Sequence, residues 1–124
     1  MEKPPLKGFA RFRAAWRNSL NGLADMWKNE EAFRLEATIF TVSIPLAFWL
    51  GGSVFEVSIL CGVVFIILIV EVLNTAIEAV VDRIGPERHE LSRIAKDLGS
   101  LAVVMASILA GSVWIAVIAD RLTR

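Results

Sequence analysis

The stretch VSILCGVVFIILIVEVLNTAIEAVVD, residues 57–82, decides the fold of this chain. Its first fourteen residues carry no charge, and its last twelve place three carboxylates on an apolar background. A bilayer span needs about 20 mostly apolar residues, so the stretch predicts a transmembrane helix over 57–81. A charge well inside such a helix costs at least ~2.5–3.5 kcal/mol, so its carboxylates are candidates for a function.

Two other apolar blocks predict two further spans. Residues 37–55 contain no charge over nineteen positions, and residues 98–119 contain none over twenty-two. The first block predicts a short span over 37–50, bent at Pro45 and closed by two glycines, and the second predicts a span over 98–119. The apolar fraction of 56% and the single Cys61 exclude a soluble globule, a disordered chain and a disulfide scaffold. We expect one membrane domain over 1–124, with a polar connection over 82–97 that is helical at both ends.

Residues 8–30 predict an amphipathic helix that lies on the membrane surface. Six large apolar residues recur at spacings of three and four, which places them on one narrow stripe of a helix. Aromatic side chains on one face with basic ones around them are typical of a membrane interface, and the alternative is a helix of a soluble bundle. The stripe consists of Phe9, Phe12, Trp16, Leu20, Leu23 and Trp27.

The basic residues predict the orientation. Eleven of the thirteen Lys and Arg residues lie in 1–36 and 82–97, none lies in the turn at 51–56, and two lie at the C-terminus. The positive-inside rule therefore places the N-terminal helix and the 82–97 connection in the cytoplasm, and three spans place the C-terminus on the opposite side. Thirteen acidic residues balance the thirteen basic ones, so no nucleic-acid partner is expected.

One face of the 57–81 helix is polar in its cytoplasmic half. Glu71, Asn74, Thr75, Glu78 and Asp82 all fall within about 60° of Glu71 on a helix. In a structural interpretation, carboxylates near the helix end reach water or pair with a cation of another helix, and Asn74 and Thr75 join helices. That interpretation suits Asp82 best. It suits Glu71 least, because Glu71 lies deepest and has a short side chain.

Two other charged clusters are expected at the same membrane face. They are residues 29–36, and residues 87–90 together with 96–100. These clusters are rich in carboxylates and contain no cysteine, which indicates oxygen ligation of Mg²⁺. Their Lys and Arg side chains are suited to binding phosphate groups. The chain has no P-loop and no protein-kinase motif, so a nucleotide-binding enzyme here would have to be built on helices.

The motifs identify a family. Glu71-Val-Leu-Asn-Thr-Ala-Ile-Glu78-Ala-Val-Val-Asp82-Arg, followed by His89-Glu-Leu-Ser and Ala95-Lys-Asp-Leu-Gly-Ser100, closely resembles the prokaryotic integral-membrane diacylglycerol kinases. Asn29-Glu-Glu-Ala-Phe-Arg-Leu-Glu36 resembles the other motif of that family. The resemblance covers essentially the whole chain. It implies an all-α membrane protein, with a surface helix and three spans, that assembles as a homotrimer in the bacterial inner membrane.

The resemblance also implies a reaction and the residues that perform it. The family transfers the γ-phosphate of ATP to diacylglycerol with Mg²⁺, and forms phosphatidic acid. Glu71 matches the general base, and Asn74 is a second catalytic position. Glu30 and Glu78 match the metal ligands. Positions expected around ATP are Arg11, Asn18, Glu30, Glu78, Glu87, Arg88, His89, Lys96 and Asp97, and those expected around the lipid are Arg11, Ala32, Phe33, Arg34, Glu36, Trp49, Glu71 and Ser100. Asn18 and Arg88 stand where the family commonly has an aromatic residue.

Two alternative functions stay open at this point. A polyprenol kinase, acting for example on undecaprenol, would use the same catalytic residues. A non-enzymatic oligomeric subunit would use Glu71 in a proton path, but would not need Glu30, Lys96 and Asp97. We further expect a second copy of the chain to shield Glu71 and Glu78 from lipid, and Ala106, Ala110 and Gly111 to permit close helix contacts.

Overall fold

Four helices account for nearly all of the chain. The structure, a computed structural model, describes residues Glu2–Arg124, and this part of the chain contains no strand. The helices are α1 (Gly8–Asn29), α2 (Glu31–Leu50), α3 (Val54–Ile84) and α4 (Glu90–Leu122). Each of the last three is long and apolar enough to cross a membrane. The predicted all-α fold, with three helices that can span a membrane, is confirmed. The helices extend beyond the apolar blocks, because charged residues next to these blocks are helical as well.

The chain divides into two compact units, of which the first ends at Arg34. In this unit the six stripe side chains of α1 are each at least half exposed. The backbone leaves helical geometry at Glu30, whose N–H still donates to the carbonyl of Met26. Nη1 of Arg34 donates to the carbonyl of Trp27 at 2.7 Å. A cation on the last carbonyls of a helix is favourable, so Arg34 stabilises the end of α1.

The second unit, Leu35–Arg124, packs the remainder of α2 with α3 and α4. Two apolar clusters form its core, and α3 and α4 are its main helix pair. Small residues of α4 face the core, and Ala106 and Ala110 are almost completely buried there. The Phe40 and Phe65 rings lie 5.3 Å apart between α2 and α3. Helix α2 continues without interruption through Pro45, at the position where the sequence predicts a bend.

Glycines shape both turns of this unit. Gly51 and Gly52 separate α2 from α3, and a Cβ on Gly52 would overlap the guanidinium of Arg124. The Ser53 side chain then caps α3 by accepting from the Glu56 N–H at 3.1 Å. At the other end of α3, Gly85 has a φ of 155°, which residues with a side chain rarely adopt. The turn into α4 therefore requires glycine at this position.

Charged groups join α3 and α4 at the end of the bundle that contains the α2–α3 turn. Nη2 of Arg124 lies 3.1 Å from Glu56 and 2.6 Å from Asp120, and these carboxylates raise the pKa of the Arg124 guanidinium, Asp120 most strongly. Arg121 lies over the Trp49 ring at 5.3 Å and donates to the carbonyl of Leu50. We refer to Glu56, Asp120 and Arg124 as the terminal ion-pair cluster.

A side-chain hydrogen bond links α4 to the backbone of α3 within the core. Nε1 of Trp114 donates to the carbonyl of Leu60 at 3.1 Å, and Leu60 itself is fully buried. A buried indole N–H that lacks a partner is costly in an apolar medium, because no water can replace the lost bond. Trp114 therefore determines how α4 lies against α3.

We expect Trp114→Phe to destabilise the fold by about 1 kcal/mol, the usual net contribution of one hydrogen bond. The measurement is the midpoint of thermal unfolding in detergent micelles, which should fall by a few degrees. Trp16→Phe is the matched control, because it removes the same indole from the exposed stripe of α1. Equal midpoints for Trp114→Phe and the wild-type chain would contradict a stabilising role for this bond.

Candidate active site

The buried face of α3 changes from apolar to polar along its length. Leu60, Val64 and Leu68 form its apolar part, and Glu71 and Asn74 continue the same line at 7% and 9% exposure. Residues three or four apart lie on one side of a helix, so a single packing face carries both kinds of side chain. Glu71 is thus buried, although the sequence suggests that a second copy is needed to cover it. The fold places a carboxyl group inside an otherwise apolar helix bundle.

Glu71 is adjacent to a second carboxyl group. The side chain of Glu36, on α2, forms a hydrogen bond with that of Glu71. The contact joins α2 to α3, and it brings one of the predicted lipid residues to the predicted base.

Three oxygen atoms near this carboxyl pair have no hydrogen-bond partner among the described residues. They are Oε2 of Glu36, Oδ1 of Asn74 and Oγ1 of Thr75, and all three are buried. A buried polar atom without a partner is unfavourable by about 1–3 kcal/mol, which makes each such atom a candidate ligand-binding position. Carboxylate, amide and hydroxyl oxygens can all accept a hydrogen bond, so this polar cluster matches a ligand that carries a hydroxyl group or a water molecule.

Gly99 of α4 provides the room for Asn74. Gly99 is buried, and a Cβ built on it would overlap the Asn74 Oδ1 atom. The Cα of Asn74 itself would lie 3.8 Å from that Cβ, so the two backbones approach closely here. A glycine at this point of α4 is therefore required by the side chain that faces it on α3.

A polar cavity of about 520 Å³ opens where α3 connects to α4. This is within the usual volume range of small-molecule sites. The cavity begins at Val81, ten residues or roughly 15 Å along the axis of α3 from Glu71. Four predicted nucleotide residues line it, together with Asp82, Glu90 and Arg93. These four are Glu87, Arg88, His89 and Lys96.

Hydrogen bonds fix several side chains of this cavity. Nζ of Lys96 lies 2.7 Å from Oδ1 of Asp82, and this ion pair joins α4 to α3. Arg93 instead pairs within α4, with Glu90 and with Asp97 at 2.7 Å. Nδ1 of His89 accepts from the Leu91 N–H at 3.1 Å and so caps α4. Since Nδ1 acts as an acceptor, the neutral ring holds its proton on Nε2.

The other predicted residues lie elsewhere. Glu78 is half-buried on α3 between Asn74 and the cavity, and Ser100 is exposed on α4 beside Gly99. Trp49 lies at the C-terminal end of α2 beside Arg121, thirteen residues or roughly 20 Å along the helix from Glu36. The remaining six belong to the unit that ends at Arg34, where Phe33 is buried, Glu30 and Arg34 are half-buried and the others are exposed. They are Arg11, Asn18, Glu30, Ala32, Phe33 and Arg34.

The carboxylates do not form a closed metal cage. Among residues 2–124 there is no group of three or more acidic, histidine or cysteine side chains arranged to hold a metal ion. Mg²⁺ in nucleotide enzymes is usually held by one or two carboxylates, together with phosphate oxygens and water. The donor set therefore fits a metal that arrives with a nucleotide, but it does not fit a permanently bound one.

Comparison with known proteins identifies the family of the chain. The profile of the family described as prokaryotic diacylglycerol kinase matches residues 17–118. The chain belongs to this family. A diacylglycerol kinase of Haemophilus influenzae is 48% identical over 96 residues, which cover 77% of this chain and 81% of that protein. The diacylglycerol kinase of Escherichia coli K12 is 47% identical over 107 residues, or 86% and 88% of the two chains.

A more distant relative extends the match. A diacylglycerol kinase of Pseudomonas aeruginosa is 41% identical over 117 residues, which cover 92% of this chain and 95% of that protein. The family assignment and the three apolar helices together make this chain a multi-pass bacterial membrane protein.

Sequence reasoning missed two residues of the site in this diacylglycerol kinase family member. The role of Gly99 as the space for Asn74 was missed, because a packing contact between α3 and α4 has no signature in either helix alone. Arg93 lies three residues before Lys96, and that spacing indicates a shared helix side. For Asp82 the sequence leaves water and a cation of another helix as possible partners, and the structure shows that the partner is Lys96.

We expect Gly99→Ala to impair activity strongly, because the added Cβ must displace the Asn74 side chain from its position beside Glu71. A tenfold or larger loss of turnover is expected, measured with saturating substrates in micelles. Gly62→Ala is the matched control in the same bundle, since a Cβ there meets nothing within 4 Å. Equal turnover of the two variants would show that the position of Asn74 does not matter.

Proposed function

We propose that this chain is a membrane lipid kinase that transfers the γ-phosphate of ATP to diacylglycerol and yields phosphatidic acid and ADP. The observation that carries the proposal is the buried Glu71 beside unpartnered oxygens, in line along α3 with a polar cavity. The acceptor of such a kinase is a hydroxyl group that cannot leave the membrane. The relatives named diacylglycerol kinase support the choice of acceptor.

The chemistry assigned to Glu71 is that of a general base. The acceptor hydroxyl oxygen attacks the γ-phosphorus, the bond from phosphorus to the β-γ bridging oxygen breaks, and ADP leaves. The hydroxyl proton passes to the carboxylate of Glu71. Phosphoryl transfer needs mainly positioning and charge stabilisation, and Asn74 is the polar neighbour that orients the reacting groups. Glu36 holds the Glu71 carboxyl group in place through their shared hydrogen bond.

The nucleotide enters from the cavity between α3 and α4. Lys96 and Arg88 supply positive charge for phosphates, and the N-terminal end of α4 adds backbone N–H groups that favour an anion. Glu87 and the Nε2–H of His89 are candidates for contacts with the nucleoside. A triphosphate lying along α3 from this cavity passes Glu78 and Asn74 before it reaches Glu71. Arg11, Asn18 and Asp97 are assigned to the same nucleotide by the family resemblance.

Magnesium is assigned to Glu30 and Glu78. This assignment comes from the family resemblance, and both residues are carboxylates, the ligands that Mg²⁺ prefers. The ion, when bound with ATP, would neutralise charge on the transferred phosphate.

The lipid approaches from the bilayer side of Glu71. The residues that the family resemblance assigns to it, besides Trp49, are Arg11, Ala32, Phe33, Arg34, Glu36, Glu71 and Ser100. Trp49 lies roughly 20 Å along α2 from Glu36, a distance close to the thickness of one bilayer leaflet, so its assigned contact is with an acyl chain. We place the protein in the bacterial inner membrane, with its N-terminus and cavity in the cytoplasm, because eleven of thirteen basic residues lie at that end.

A homotrimer is part of the proposal. It is supported by the large apolar side chains of α2, α3 and α4 that remain exposed in a single chain. The burial of Glu71 does not require a second copy. The case for the trimer therefore rests on helix packing and on the family, and not on shielding of that carboxyl group.

The lipid alcohol that the protein phosphorylates distinguishes a diacylglycerol kinase from a polyprenol kinase. Purified protein in micelles, Mg-ATP and a panel of lipid alcohols, scored for labelled product, should give phosphatidic acid from diacylglycerol. Preferred labelling of undecaprenol would make the chain a polyprenol kinase. No labelled product from any alcohol would favour the non-enzymatic subunit.

We expect Glu71→Gln to lower turnover by at least a thousandfold, because the amide keeps the size of the side chain but cannot accept the proton. Labelled-nucleotide binding and the unfolding midpoint should change little. Glu56→Gln, at the other end of α3, is the matched control and should retain turnover. Near-normal activity of the Glu71 variant would remove it from the role of base.

We expect Glu30→Gln and Glu78→Gln each to weaken Mg²⁺-dependent nucleotide binding about tenfold or more, because each removes an anionic oxygen ligand. The measurement is a Mg²⁺ titration at fixed nucleotide concentration. Glu31→Gln is the control, since it neutralises the exposed carboxylate adjacent to Glu30. Unchanged titrations for both variants would make these carboxylates structural.

A further inference from the structure

One ion pair of the cavity involves a residue that has no role in the proposed reaction. Asp82 lies in the last turn of α3, and its Oδ1 is 2.7 Å from Nζ of Lys96 in the second turn of α4. Both side chains line the cavity. We propose that Asp82 is a positioning residue, which holds the Lys96 ammonium group at the cavity wall in readiness for the phosphates of a nucleoside triphosphate. The inference rests on the proposed function, because it concerns the nucleotide site of that kinase.

The donor capacity of lysine makes this arrangement workable. A lysine ammonium has three N–H donors on a flexible four-carbon chain. One donor bound to Asp82 leaves two donors for phosphate oxygens. Without Asp82 the side chain would have to be ordered by the nucleotide itself, and that ordering reduces affinity.

The exposure of the pair argues against a role in stability alone. The side chains of Asp82 and Lys96 are 68% and 44% exposed. Exposed ion pairs contribute little to the free energy of folding, so the main effect of this contact is on where the ammonium group lies.

Asp82 also links Lys96 of α4 to the helix that carries Glu71, the proposed base. It lies eleven residues after Glu71, about three turns further on the same side of α3. Arg93 also forms ion pairs, with Glu90 and Asp97, but both of these pairs lie within α4. Asp82 is therefore the residue of α3 that holds Lys96 of α4 by an ion pair at the cavity. The proposed base, Glu71, lies on the same helix as Asp82.

The test compares three substitutions at position 82. Asp82→Ala should raise KM for Mg-ATP about three- to tenfold, the range expected when one long side chain loses its ordering. Asp82→Asn should give a smaller rise, because an acceptor oxygen remains, and Asp82→Glu should restore most of the affinity. KM for diacylglycerol, kcat and the unfolding midpoint should stay near wild-type values, which a merely structural role would not predict.

Two controls test whether the rise in KM for Mg-ATP comes from the lost contact with Lys96. Glu56→Gln breaks the α3 contact of the terminal ion-pair cluster at the opposite end of the bundle, and it should leave KM for Mg-ATP unchanged. In a Lys96→Met background, Asp82→Ala should have no further effect on the binding of a fluorescent ATP analogue with Mg²⁺, since the residue acts through Lys96.

Several results would overturn the inference. They are an unchanged or lower KM in Asp82→Ala, which would mean that Asp82 is inert or competes with phosphate, and an equal loss of binding in the Lys96→Met background. If the wild-type chain phosphorylates no lipid but binds the analogue in the pattern described, the proposed function fails and the role of Asp82 stands. If the wild-type chain binds no analogue, both fail.

Discussion

The packing face of α3 is the feature on which the rest of the second unit depends. A helix within a bilayer satisfies its own backbone, but every polar side chain on it needs a partner or a protein interior. Here Glu71 and Asn74 continue the line of side chains that packs the helix into the bundle. Their burial requires matching groups on the neighbouring helices. Gly99 of α4 leaves room for Asn74, and Glu36 of α2 contacts Glu71. The candidate site and the packing of the bundle are therefore the same set of contacts.

The two ends of the bundle differ in how they are held. At the α2–α3 turn, capping, close glycine packing and the terminal ion-pair cluster connect all three helices. At the α3–α4 connection, the contacts are exposed ion pairs around an open cavity. Exposed ion pairs break at low cost. The cations at this end are therefore accessible to an anionic ligand, while the contacts at the opposite end preserve the alignment of the helices.

The polar cluster around Glu71 and the cavity differ in chemistry. The cluster consists of buried acceptor oxygens without partners, within an apolar helix bundle. The cavity is lined by several charged side chains, including cations, at the last turn of α3. A hydroxyl group can donate to the first environment, and an anionic group can bind the cations of the second. The helices therefore keep two chemically different environments apart along α3.

The sequence by itself determined the class of fold, the three apolar helices and the family. Three apolar stretches, each close to the length that a bilayer span requires, leave little choice of structure, and the E-x-x-N-T-x-x-E-x-x-x-D motif is specific. It also indicated that Asp82 reaches either water or a cation of another helix, because a charge at the end of a span needs one or the other. Only the tertiary structure decided that its partner is Lys96, that Glu36 contacts Glu71, that Gly99 makes room for Asn74 and that one chain buries Glu71. Each of these contacts joins two helices, and helix periodicity describes which side a residue is on but not which residue of another helix it meets.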